Sequence, residues 1–114
     1  MTNVTIQKVM AQQAQERQAV LDNNTRGTSA HTLAQVALEQ HGSGAVCAAK
    51  LLLSMEYSEK FDFELLLSLD TKNRAHADLV MLGYKSHELW PSKWMEEEGF
   101  NGREIMAAVR QKLA

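Results

Sequence analysis

The chain has 114 residues, 45% of them hydrophobic and 23% charged, enough for one compact core and too few for a conventional two-domain enzyme. Twelve Lys and Arg against fourteen Asp and Glu leave a formal net charge of −2 with both signs scattered, so tight binding to a phosphate backbone is not expected. The single cysteine, Cys47, excludes an internal disulfide and a cysteine-based structural zinc site, and no apolar run approaches the roughly 20 residues of a membrane helix.

One proline, six glycines and the lack of any alternating pattern predict an all-α fold, a compact bundle of about five or six helices. Thr2 to Asn23 is helical by propensity, with apolar residues at Ile6, Val9, Met10, Val20 and Leu21. Its Gln-rich middle, Gln12 to Gln18, interrupts the core-facing stripe. The start of the chain is polar instead of basic and then apolar, so no secretion signal is read and the cytoplasm is the expected location. Asn23 to Thr28 is a polar breaker cluster that reads as a linker. It divides the chain into a loosely tethered N-terminal helix, residues 1–24, and a single helical domain, residues 29–114.

A second helix is predicted from Ser29 to Gly42, closed by that glycine in a left-handed conformation. After the turn at Gly42, Ser43 and Gly44, a third helix runs to about Tyr57. Its one polar stripe is Cys47, Lys50 and Ser54, which makes residues 44–57 the central apolar helix. Phe61, Asp62, Leu65 and Leu66 read as a capped short helix ending at Ser68, and Asp70 as the cap of a helix over Thr71 to Tyr84. Between Lys85 and Gly99, Pro91 suits the first turn of a short helix. The last helix is announced by Asn101 as cap, by Glu104, and by Phe100 placed to pack against Ile105.

Few residues suggest chemistry. His76 and Asp78 lie about 200° apart on a helix and cannot act on one substrate atom, whereas Asp78 is spaced to pair with Arg74. Cys47 and Lys50 are one turn apart, which would favour a thiolate, but a cysteine in an Ala-rich helix reads as a small buried residue. His31, His41, His76 and His87 contain no pair at the spacing of a metal face, and phosphate-loop, dinucleotide and nucleophile-elbow patterns are missing. No metal, cofactor or enzymatic activity is therefore expected.

The helix, glycine turn and helix from Ser29 to Tyr57 have the outline of a DNA-binding helix-turn-helix. The second helix offers only Lys50 to read a groove, so an antiparallel helical hairpin is the better reading. The aromatic segment is the candidate partner surface: Trp90 and Trp94 beside Glu96, Glu97 and Glu98. Tryptophan is enriched among interface anchors, and an acidic rim favours a basic partner. The ring pair also suits one end of a small core. Three glutamates near a helix C-terminus work against its dipole, and nothing in the local helix accounts for them.

Gly44 to Leu53, then Phe61, Asp62 and Leu65 to Asp70, then the helix with Asp78, and finally Asn101, Gly102 and Glu104 carry a resemblance. From Gly42 to Leu113 the chain resembles an uncharacterised family of short proteobacterial proteins carried on plasmids, prophages and other mobile elements. The resemblance implies a mobile-element setting and transfers no activity and no catalytic residue, and the Trp90 and Trp94 segment departs from the family pattern.

The resulting expectation is a non-enzymatic protein-binding modulator, phage- or plasmid-encoded, acting on a host protein or nucleoprotein complex such as a defence complex. A homodimer is compatible with this reading, while direct contact with nucleic acid or membrane is not expected. The competing classes are a small nucleic-acid-associated regulator using Lys8, Arg17 and Arg26, and a small enzyme with an unrecognised site.

Overall fold

Residues 2–83 and 90–113 are described by the computed structural model, and among them are six α-helices, one 3₁₀ helix and no strand. The helices are α1 (Thr2–Asn23), α2 (Arg26–Glu39), α3 (Ser43–Tyr57), the 3₁₀ helix (Phe63–Ser68), α4 (Thr71–Met81), α5 (Pro91–Glu97) and α6 (Gly102–Leu113). This is the all-α bundle that the helical periodicity predicts. Tyr84, Lys85 and His87 lie outside the described residues, so the predicted end of the fourth helix does too.

Two helices organise the core. α2 packs against α3, α4, α5 and α6, and α3 is the most thoroughly buried helix, with nine of its fifteen residues inside. Alanines make this possible: Ala30, Ala34 and Ala37 on α2 and Ala45, Ala48 and Ala49 on α3 keep the helix surfaces low. Leu33 and Leu52 fill the space between. The hairpin reading of α2 and α3 agrees with this packing, since the face of α3 that would have to enter a DNA groove is inside the protein.

Two expectations about local structure need correction. The polar cluster from Asn23 to Thr28 is not a linker, because only Asn24 and Thr25 separate α1 from α2. Thr25 is the N-cap of α2, its hydroxyl accepting from the Thr28 amide at 3.2 Å while the Thr28 hydroxyl accepts from the Thr25 amide at 2.8 Å. The same polarity that suggests a loop here satisfies the first turn of a helix. Gly42 has a positive φ of +98° but an extended ψ of −170°, not the left-handed helical conformation, and it opens α3 instead of closing α2, which ends at an extended Gln40. Cys47 is buried, as a cysteine in an Ala-rich helix is expected to be, and so is Ser54, whose hydroxyl donates to the Leu51 carbonyl at 2.7 Å. A small side chain that satisfies itself within its own turn costs little to bury.

Long-range polar contacts lock the helix ends. The Lys112 ammonium of α6 reaches the last carbonyls of α2, donating to Leu38 at 3.1 Å, to Gln40 at 2.7 Å and to Ala37. A cation there complements the negative end of the helix dipole and satisfies acceptors that the helix leaves unpaired. Asp78 of α4 bridges two helices, accepting from Arg74 at 3.2 Å within α4 and from Arg17 of α1 at 2.6 Å. Together with buried Val20, this bridge holds the C-terminal part of α1 on α4, whereas every residue from Val4 to Gln15 is exposed.

Candidate functional site

α5 is a short helix placed by contacts from outside itself. Its N-cap position is Trp90, which has no side-chain oxygen to offer, and Pro91 occupies the first turn. Glu56 of α3 supplies the missing cap: its carboxylate accepts from the Ser92 amide at 2.9 Å and from the Ser92 hydroxyl at 2.7 Å. The aromatic segment is thereby anchored directly to the central helix.

The structure separates the two tryptophans. Trp94 is only 1% exposed and belongs to the core, which corrects its expected place on the partner surface. Its ring lies in a socket made by absent side chains. A methyl group on Gly83 would meet the ring at 2.3 Å, and one on Gly27 would meet the Trp94 carbonyl oxygen at 2.3 Å. The Arg26 guanidinium stands 5.1 Å from the ring centre, and the indole nitrogen finds no acceptor among the described residues. Trp90, in contrast, is 51% exposed and forms one wall of a groove of about 440 Å³ lined also by Tyr57, Lys93, Glu96 and Arg103.

The three glutamates are all exposed but are not equivalent. Glu98 accepts a hydrogen bond from the Thr25 hydroxyl at 2.8 Å, which puts its carboxylate at the N-terminus of α2. Unfavourable at the end of its own helix, the charge complements the positive end of another. That is the structural reason for Glu98, and it lies outside the local sequence. Glu96 faces a groove that also holds Lys93 and Arg103, so the rim is mixed in charge instead of uniformly acidic. Among the described residues no contact accounts for Glu97.

The remaining reactive candidates are structural in their surroundings. Cys47 is fully buried, and burial pushes its thiol pKa up against the opposing pull of a hydrogen bond with Ser68 and the charge of Arg74. His76 is buried and hydrogen-bonded through Nδ1 to the Ser29 hydroxyl at 2.9 Å, pinning α4 to α2, while Asp78 faces α1. His31 stacks on Phe100 with ring centres 3.7 Å apart and planes 2° from parallel. This explains why Phe100 is held at the entry to α6. Among the described residues no cluster of three His, Cys, Asp or Glu could hold a metal ion, and no helix is long and apolar enough to cross a membrane.

Burial lowers the His76 pKa below its ordinary value, against the smaller upward pull of Asp70. The unfolded chain therefore binds a proton at this site more readily than the folded one. Stability is complete above the unfolded pKa of about 6.5 and is lost as pH falls from there through the folded pKa. Urea unfolding of the wild type and of His76→Gln between pH 7.5 and pH 5 is expected to give a steeper loss for the wild type. Parallel pH profiles would show that His76 does not titrate differently on folding.

The chain matches no protein-family model, no curated protein and no solved structure.

Proposed function

We propose that this chain is a non-enzymatic protein-binding modulator, carried by a mobile element such as a phage or plasmid, that acts in the cytoplasm on a host protein or nucleoprotein complex such as a defence complex. The observation that supports it is Trp90: a half-exposed indole, held on a rigid base by Pro91, buried Trp94 and the Glu56 cap, with a groove beside it. A pre-positioned aromatic ring is the usual anchor of a protein interface, because it brings a large area and loses little conformational entropy when it is covered. The partner surface consists of Trp90, Glu96 and Glu97, with Trp94 belonging to the core and Glu98 retained for the α2 terminus.

The nucleic-acid alternative has less support. Arg17 is tied to Asp78 and Arg26 lies over the Trp94 ring, so two of the three cations on which it depends are engaged within the fold.

The test is affinity capture from a proteobacterial lysate, followed by titration of the captured protein with wild type, Trp90→Ala and the double variant Glu96→Lys, Glu97→Lys. These positions are exposed, so folding stability should stay within about 0.5 kcal/mol of wild type for the glutamate variant. Trp90→Ala is expected to weaken binding by about tenfold or more, and the charge reversal to slow association at low salt. Wild-type affinity and association rate in both variants would refute the assignment, and a captured nucleic acid released steeply by salt would replace it with the alternative.

A further inference from the structure

The seam between α3 and α6 carries a groove of its own. It measures about 400 Å³ and is lined by Lys50 and Leu53 of α3, by Glu59 and Lys60 just beyond that helix, and by Arg110 and Leu113 of α6. Three cations thus face one carboxylate, in a chain whose formal net charge is −2. Glu59 is already paired: the Arg110 guanidinium bonds to it and stands 4.6 Å from the centre of the Tyr57 ring. Lys50 and Lys60 are exposed, and among the described residues no carboxylate lies within ion-pair distance of either. Two unbalanced ammoniums beside an apolar wall favour negative charge in this groove.

A second, smaller cavity adjoins it. Leu113 borders both, and the smaller one, about 130 Å³, has Ala45, Val46, Ala49 and Val109 in its walls. The alanines of α3 leave it hollow, since a methyl group cannot reach across to α6. Lys112 at its edge is committed to the α2 carbonyls. The space is close to that of the roughly 150 Å³ apolar cavities that admit a single ring, so it suits one aliphatic or aromatic side chain. Val46 and Lys50 are four residues apart on α3, which sets the apolar and basic compartments about 6 Å apart along the groove.

Together these compartments define the chemistry of the occupant. Two unpaired ammoniums and one guanidinium already paired are few for a phosphate backbone, whose binding is built from many such contacts and which has no aliphatic side chain for the smaller cavity. A membrane surface calls for apolar groups that project, whereas Leu53 is recessed and only 3% exposed. We infer that the groove between α3 and α6 binds an acidic protein segment, one apolar side chain of which enters the smaller cavity while neighbouring carboxylates meet Lys50 and Lys60. The inference does not rest on the Trp90 surface. Tyr57 borders that groove and Arg110 this one, and the stacked pair divides them.

NMR titration of the isotope-labelled protein at about 20 mM salt tests it, with the acetylated and amidated peptide Glu-Glu-Leu-Glu-Glu as probe. Amide shifts are expected at Val46, Lys50 and Leu113, saturating with a Kd on the order of 1 mM or below. Replacing the leucine of the peptide by glycine is expected to weaken binding about tenfold, the worth of one buried aliphatic side chain. The double variant Lys50→Glu, Lys60→Glu is expected to lose at least as much with an unchanged melting temperature, because both side chains are exposed. Trp90→Ala is expected to bind the peptide as the wild type does. No shift in the groove at up to about 10 mM peptide, or equal affinity for the leucine and glycine peptides, or wild-type affinity in the double variant, would overturn the inference. An oligothymidylate or phosphatidylglycerol vesicles that move the same amides at lower concentration than the peptide would overturn it in favour of a nucleic acid or a membrane.

Discussion

Trp94→Ala is expected to lower the unfolding free energy by about 3 to 5 kcal/mol, the range for emptying a large aromatic site in a core. The socket makes relaxation difficult. Gly27 and Gly83 bring backbone against the ring and its carbonyl, and no side chain at either position can move in to fill the space that alanine would leave. The same substitution at Trp90, half in solvent, is expected to cost much less, on the order of 1 kcal/mol or below. Urea unfolding of the two variants side by side checks the contrast. Equal losses would mean that the two rings are equally buried and that the division between core ring and surface ring is wrong.

Leu52→Ala follows, with an expected loss of about 2 to 5 kcal/mol. Leu52 is fully buried on α3, the most thoroughly buried helix of the core. Its small neighbours set the magnitude. Ala48 and Ala49 have no side-chain reach with which to close a cavity, so the upper half of the range is expected. A loss below about 1 kcal/mol in urea would place the core elsewhere.

What could be read before the structure was local. Asp62 and Asp70 announce the helices they cap, and each does so: the Asp62 carboxylate accepts from the Glu64 amide at 3.0 Å and that of Asp70 from the Asn73 amide at 2.8 Å. The run of apolar residues in α3 marks the central helix, and the four-residue spacing of Arg74 and Asp78 marks their pair. Partners far apart in sequence left no such trace. Glu56 and Ser92 are 36 residues apart, Arg17 and Asp78 are 61, and Thr25 and Glu98 are 73. Periodicity and capping rules describe only the nearest turns.

The candidate site shows the same division. That aromatic rings gather near α5 is plain in the sequence. Which ring faces inward is not, because Trp90 and Trp94 are four residues apart and the four-residue spacing places two helical residues on one face. Trp90 stands at the N-cap, outside the helical repeat, and so escapes that rule. One clue lies at Trp90, which has no side-chain oxygen with which to cap the helix it precedes; the cap comes from another element, Glu56.

The unequal burial of the two indoles gives the molecule a built-in optical assay. With one ring screened from water and the other half in it, the emission spectrum is a sum of a blue component from Trp94 and a redder one from Trp90. A water-soluble quencher reaches the second and spares the first. Occupancy of the groove and integrity of the core are thus reported at different wavelengths by the same unlabelled chain, and a ligand that covers the surface can be told apart from a condition that unfolds the protein.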